Sequence, residues 1–292
     1  MAILAQGREK VRKIQRAMGG EPPKAAIARS RDLLRRYIRQ RFESRRASQA
    51  EVSRLNNPLR DRVLRKLFTG DAGVKDYAQQ TKTLCQRRAK RKIARPRPRK
   101  IEAQFVTGSN FQILTPPYDS SWTASHVGEA QASAQNGSYS LGVGSLGNGS
   151  AEAAAGVACW FFATDADLQQ RFAAVLEYTD DWWDSAFFYV AHNDFTTNLW
   201  VWGPSENAWV AQSPVSPSWS DGVSWTETHG NDPQGEAGGI AVETYFNVNA
   251  GSWYLCWIWS DASVYADGGI FGTAGSSIQF NGSVPMMVFG SL

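Results

Sequence analysis

Thirty of the 31 lysines and arginines in this 292-residue chain fall in its first hundred residues, against eight acidic side chains there. Beyond residue 100 Arg171 is the sole Lys or Arg, against nineteen acids. The net formal charge of +4 therefore hides one part near +22 and another near −18. A segment that basic repels itself when isolated, so it needs a polyanion or an acidic protein surface as counterpart. Other properties change at the same border, since all twelve tryptophans lie beyond residue 100. This predicts three parts: a basic helical anchor over 1–94, an Arg/Pro-rich linker over 95–103 and an acidic, Trp-rich β-sandwich over 104–292.

No run of about eighteen apolar residues occurs, which excludes a membrane-spanning helix. The opening Met1-Ala2-Ile3-Leu4-Ala5-Gln6-Gly7-Arg8 is too polar for a secretory signal, so cytoplasmic synthesis is expected, with later placement in a virion or extracellular assembly left open. Cys85, Cys159 and Cys256 share no metal-ligand spacing, and Cys159 and Cys256, each within an apolar run, read as buried thiols.

In the basic part apolar residues recur at helical spacing. Leu4, Val11, Ile14 and Met18 mark a first helix, closed by Gly19-Gly20-Glu21-Pro22-Pro23. Ile27, Leu34, Ile38 and Phe42 mark a second, whose arginines occupy the rest of the cylinder. Ser48-Gln49-Ala50-Glu51 has the form of a capping box, and Pro58 suits a first helical turn, so new helices are expected at both points, with Gly70 as a stop. Val74, Tyr77, Ala78, Thr81 and Leu84 mark the last. The chain then enters a run with nine positive charges in fourteen residues: Arg87, Arg88, Lys90, Arg91, Lys92, Arg95, Arg97, Arg99 and Lys100. These are the candidate polyanion-binding residues. Nucleic acid is one expected partner, through phosphate contacts rather than base readout, because the segment has few aromatics and no zinc-finger spacing. The acidic segment of the same or a neighbouring chain is the other.

From about residue 104 short alternating runs are separated by Gly, Asn, Asp, Ser and Pro, which gives nine to eleven strands and no long helix. An antiparallel β-sandwich, jelly-roll or lectin-like, fits best. Some strands are apolar on both faces, as in Trp253, Leu255, Trp257 and Trp259 opposite Tyr254, Cys256 and Ile258. Asn136-Gly137, Asn148-Gly149 and Asn281-Gly282 read as turns.

Aromatic and acidic residues gather around Asp181, Trp182, Trp183 and Asp184 and again at Trp202. Flat rings for sugar C–H faces beside carboxylates for hydroxyls make a compositional resemblance to carbohydrate-binding modules, and these five residues are the candidate glycan contacts. Trp182 and Trp183 are neighbours on a strand, so both cannot face one core. Glu177, Glu227 and Glu243 are candidate glycosidase acids, although no pair among nineteen is singled out. His192, Asp194 and His229 resemble the facial iron triad of jelly-roll oxygenases, in which two imidazoles and a carboxylate hold one face of Fe(II). No basic residue follows Arg171 to pair a 2-oxoglutarate carboxylate. No cofactor is expected, with calcium possible, since Asp165, Asp167 and the Asp180–Asp184 cluster offer it oxygen ligands.

No phosphate loop, zinc spacing or nucleophile elbow occurs. The expected function is accordingly non-enzymatic: a structural subunit of a large homo-oligomeric or mixed assembly that docks through its basic helices. In layout, though in no quotable motif, this resembles coat proteins of small icosahedral viruses and docking components of appendages or injection machines. The alternatives are a glycan-binding, lectin-like protein with a polyanion-binding anchor, or a glycoside hydrolase or metal-dependent jelly-roll enzyme.

Overall fold

The computed structural model describes residues 13–89, 111–164, 169–231, 236–271 and 273–291. The linker 95–103, the basic residues Lys90, Arg91, Lys92, Arg95, Arg97, Arg99 and Lys100, and Asp165 and Asp167 lie outside them.

Residues 13–19 are helical, and Gly20 ends the turn in the left-handed region at φ +66°, its N–H reaching the Arg16 carbonyl at 2.9 Å. Helix α1 (Lys24–Phe68) follows, then α2 (Ala72–Ala89). The breaks expected at Ser48 and Pro58 do not occur, and α1 runs through both for 45 residues, about 67 Å at 1.5 Å per residue. An internal proline costs a helix roughly 3 kcal/mol. Here tertiary contacts hold the helix on both sides of it. Ser53 Oγ donates to Asp267 Oδ2 at 2.9 Å, Tyr189 Oη donates to Asp61 Oδ1 at 2.6 Å, and Leu64 is buried.

Ten antiparallel strands follow: β1 (Phe111–Leu114), β2 (Ser120–His126), β3 (Glu129–Ser133), β4 (Ser138–Leu146), β5 (Asn148–Ala163), β6 (Gln169–Gly203), β7 (Ala208–Gly230), β8 (Glu236–Asn247), β9 (Ser252–Asp267) and β10 (Ala274–Ser291). The 35-residue β6 bends at Phe188 (φ +64°) and serves two layers. Its first half pairs with β8 and β10, extended by β4 and β3, and its second half pairs with β7 and β9, extended by β5 and β2. The result is a nearly closed antiparallel sandwich behind a helical segment, as expected in outline; this strand order does not establish jelly-roll connectivity.

Between the layers lies an apolar core that includes Phe172, Leu176, Phe195, Ile258, Ile278 and Phe289. Cys159 and Cys256 are buried there as free thiols, opposite each other across β5 and β9. The β5–β9–β6 layer has a second cluster on its outer face, where seven buried tryptophans (Trp122, Trp160, Trp200, Trp202, Trp253, Trp257 and Trp259) meet Ala26, Leu34, Ile38 and Phe42 of α1. The thin stripe of α1 thus finds its cover on the sheet, and strands that are apolar on both faces are explained by cover on both faces. Gly70 turns the chain, and α2 runs back over the outside of the other layer, where Arg88 Nη1 meets Asp181 Oδ1 at 2.9 Å. The helices clip the sandwich from two sides.

Candidate functional site

Alternation along β6 decides where the sequence-derived candidates point. Trp182 faces the inner core and Trp183 the outer face, as neighbours must; Trp183 is nevertheless only 2% exposed and Trp202, under α1, only 1%. Their ring faces are taken up by protein packing. Asp181 pairs with Arg88, and Arg87 is exposed beside it in sequence. Asp184 is fully buried and points inward, where Asn193 Nδ2 donates to its Oδ2 at 2.5 Å while Trp219 Nε1 donates to Asn193 Oδ1 at 2.7 Å. Burial pushes the Asp184 carboxyl up to about 7, against the hydrogen bonds that favour its charged form.

The three metal candidates are not brought together. His192 and Asp194 share the outer face of β6, with Nε2 and Oδ2 3.1 Å apart, whereas His229 pairs in register with Asp184, eight residues back along β6, and bonds Asp221 at 3.2 Å. Asp221 in turn stands opposite Asn193, whose side chain reaches Asp184 across the bend of β6. The Asp194 bond raises the His192 imidazole; burial pulls the Asp194 carboxyl up, but its bonds to His192 and Ser220 outweigh this and bring it to about 2. Among the described residues no group of three or more His, Cys, Asp or Glu side chains is arranged to hold a metal ion. The glutamates are also dispersed: Glu177 lies on β6, Glu243 stands opposite Ala173 and pairs with Arg171, and Glu227 stands opposite Ala186.

The arginines of α1 make a built electrostatic contact with the sheet. Arg41 and Arg45 reach the fully buried Asp261 at 3.2 and 3.1 Å, and Arg46 reaches Glu152 at 3.1 Å. Burial still raises both carboxyls, with the guanidinium groups acting against it. Part of the basic segment is therefore answered by the acidic segment of its own chain.

On the outer face of the other layer is a polar surface that composition did not single out. Registers place Asn281 beside Ser140 and Ser140 beside Gln131, with Ser283, Ser138 and Ser133 forming the next row. Three strands at about 4.8 Å and rows about 7 Å apart give a grid of amides and hydroxyls roughly 10 Å by 7 Å. It lines an open groove of about 330 Å³, with Asn136 at its end. The signal lay in β4 and β10, where Ser138, Ser140, Gln279 and Asn281 alternate with Tyr139, Leu141 and Phe280. Asn281-Gly282, expected as a turn, is instead mid-strand, paired with Ser140 and Tyr139. Gly282 is needed there because a Cβ would meet the Phe280 and Tyr139 rings at 2.9 and 3.0 Å. Asn136-Gly137 is a turn, with Gly137 at φ +71°.

The chain matches no protein-family model and no curated protein. Similar solved structures include the C-terminal carbohydrate-binding module of a laminarinase from Zobellia galactanivorans, 12% identical, covering 62% of this chain and 99% of that one at a TM-score of 0.23. A carbohydrate-binding module solved with beta-1,4-galactotriose is 11% identical over 59% of this chain and 90% of that one, TM-score 0.18. The enzymatically active domain of a bacteriophage CBA120 tailspike is 12% identical over 63% and 20%, TM-score 0.18. Likenesses at these TM-scores carry no argument about this chain. No described helix is long and apolar enough to cross a membrane.

Proposed function

We propose that the protein is a non-enzymatic, lectin-like glycan-binding module whose site is the amide and hydroxyl grid of β3, β4 and β10. The observation that carries this reading is the uncharged groove itself, in which Gln131, Ser133, Ser138, Ser140, Asn281 and Ser283 line one wall of an open cleft. Amides and hydroxyls together present donors and acceptors, with Ser138 Oγ already donating to Asn136 Oδ1 at 2.7 Å, and this mixture matches a polyhydroxyl ligand better than an ion or an apolar molecule. The site differs from the tryptophan cluster that composition suggested.

Titration calorimetry with neutral gluco-, xylo- and galacto-oligosaccharides tests it. At least one series should bind, and Gln131→Ala with Asn281→Ala should weaken it tenfold or more without moving the melting temperature. Absence of binding in all three series, or binding indifferent to both substitutions, refutes the proposal.

A second reading, an assembly subunit docking through its helices, is supported by α1. Val52, Leu59, Val63 and Leu67 recur at helical spacing on one side and are 49, 70, 54 and 64% exposed, flanked by Arg62, Arg65 and Lys66. Light scattering at low and high salt decides it: a salt-sensitive oligomer that Leu59→Glu with Val63→Glu dissolves supports assembly, and a monomer at every salt concentration rules it out.

A further inference from the structure

Of the twelve tryptophans only Trp225 is exposed, at 65%. Its backbone lies in the left-handed region, φ +63°, and so does that of Phe188, φ +64°, at the bend of β6. Such angles are costly for bulky side chains, and strain of this kind persists where the surrounding structure aims a side chain. The two residues sit at one bulge between β6 and β7, where the register jumps from Ala186 opposite Glu227 to Tyr189 opposite Trp225. Their rings meet edge to face with centroids 6.1 Å apart, and the Phe188 ring stacks on that of Phe68, the last residue of α1, at 5.3 Å. Two ring contacts therefore place Trp225 at the C-terminal end of α1, where Leu67 is exposed.

The apolar stripe of α1 ends at the same place. Val52, Leu59 and Val63 stand three, five and six helical turns beyond Arg41, so they share the flank from which Arg41 reaches Thr196 of β6 at 3.3 Å. Arg46 leaves the other flank for Glu152 of β5. The stripe thus faces along the layer towards β6 and β7, the strands whose bulge carries Trp225.

The charges around this surface are of one sign. Arg62, Arg65 and Lys66 are exposed beside the stripe. The nearby carboxylates are engaged within the protein: Glu51 pairs with Arg54, Asp61 accepts from Tyr189 at 2.6 Å, Asp71 accepts the Val74 N–H at 3.0 Å, and Glu227 accepts the Ser224 N–H at 3.1 Å. Four aliphatic side chains at this exposure offer on the order of 300 Å², well short of the roughly 800 Å² per partner that a stable pair of copies needs. Pairing two such flanks would also oppose like charges. An aliphatic stripe offers no stacking face to the bases of a nucleic acid. Exposed Leu and Val, a tryptophan at one end and cationic margins suit the interface of an anionic bilayer.

We propose that this flank of α1, together with Trp225, is a peripheral docking surface for an anionic lipid bilayer. Leu59, Val63 and Leu67 enter the boundary between headgroups and acyl chains, Trp225 anchors the end, and Arg62, Arg65 and Lys66 meet lipid phosphates. The glycan groove lies on the outer face of the opposite layer, so either proposal can fail without the other.

The full chain is mixed with vesicles of equal parts phosphatidylglycerol and phosphatidylcholine, or of phosphatidylcholine alone, and binding is read by co-sedimentation. Quenching of tryptophan emission by phosphatidylcholine brominated near the top of its acyl chains reports insertion. The chain should bind the anionic vesicles at least tenfold more strongly than the neutral ones, and bromine should quench part of the emission. Leu59→Ser with Val63→Ser, which leaves the charge unchanged, should weaken binding tenfold or more. Trp225→Phe should abolish most of the quenching. Leu84→Ser with Leu146→Ser, exposed apolar residues elsewhere, should change neither. The proposal is overturned by any of five results: no binding to anionic vesicles at millimolar lipid; equal binding to neutral vesicles; binding without quenching that Trp225→Phe removes, which is adsorption by charge alone; equal loss in the Leu84 and Leu146 variant; or, in light scattering without vesicles, an oligomer that Leu59→Ser with Val63→Ser dissociates, which gives the stripe to a second copy. Thermal melts of both double variants, expected within a few degrees of wild type because all four side chains are exposed, separate lost binding from lost structure.

Discussion

Arg45 Nη1 lies 3.1 Å from Oδ2 of Asp261, 216 residues further along the chain, and Asp261 has no exposed surface. Arg41 approaches the other oxygen at 3.2 Å. A carboxylate buried on the outer face of a sheet is thus held by two guanidinium groups from one helix, one turn apart. Removing one partner of a buried pair strands the other, at a cost of about 3–5 kcal/mol, whereas replacing the whole cluster by apolar groups of similar size is close to neutral. Arg41→Ala with Arg45→Ala should destabilise the protein by several kcal/mol in chemical denaturation, and adding Asp261→Leu to that variant should recover much of the loss. Equal stability of the wild type and both variants would show that the pair does not hold α1.

The hydrophobic half of the same interface makes an independent prediction. Leu34, Ile38 and Phe42 are buried against the tryptophan face. Phe42→Ala should cost about 3–5 kcal/mol and shift tryptophan emission to the red as α1 loosens. A chain lacking residues 1–68 should aggregate rather than stay a soluble acidic monomer, because it exposes seven tryptophans on one sheet face.

Asp184 gives a pH signature. Its folded-state carboxyl is raised to about 7 by burial, above the unfolded value of 3.8. The folded state therefore holds a proton that the unfolded chain releases between these limits. The stability contributed by neutral Asp184 is complete below about pH 4 and is lost as pH rises through 7. Unfolding free energies measured from pH 4 to 7.5 should fall with a slope on the order of 1 kcal/mol per pH unit. Asp184→Asn should flatten the slope, and an unchanged slope would show that other groups dominate it.

Gly19 tests the entry to the helical clip. A Cβ at this position would run into the ring of Phe162, and the Gly19 carbonyl accepts a hydrogen bond from Trp253 Nε1 at 3.0 Å. Gly19→Ala should destabilise by about 1–3 kcal/mol through overpacking, and combining it with Phe162→Leu should relieve part of that. Calorimetric melts of the two variants and the pair measure the coupling.

Much of the architecture was legible because it depends on local pattern. The charge border, the α1 stripe of Leu34, Ile38 and Phe42, and the alternation of Trp253 to Trp259 follow from periodicities of 3.6 and 2, which the chain displays whatever surrounds it. The positive-φ turns at Gly20 and Gly137 were legible for the same reason. Legibility failed where a distant partner outweighed a local preference: Pro58 lies inside a helix fixed on both sides by the sheet, and Asn281-Gly282 lies inside a strand paired with Ser140 and Tyr139. Which charge meets which, Arg45 with Asp261 or Arg88 with Asp181, depends on chain segments many residues apart lying side by side. The tryptophans show the division most plainly. Sequence determined that strands bearing apolar side chains on both faces must be covered twice, since exposing either face to water is costly. Only the tertiary structure decided that the second cover is the chain's own basic helix, which places Trp202 in the interior and leaves the polar grid of β3, β4 and β10 open to solvent.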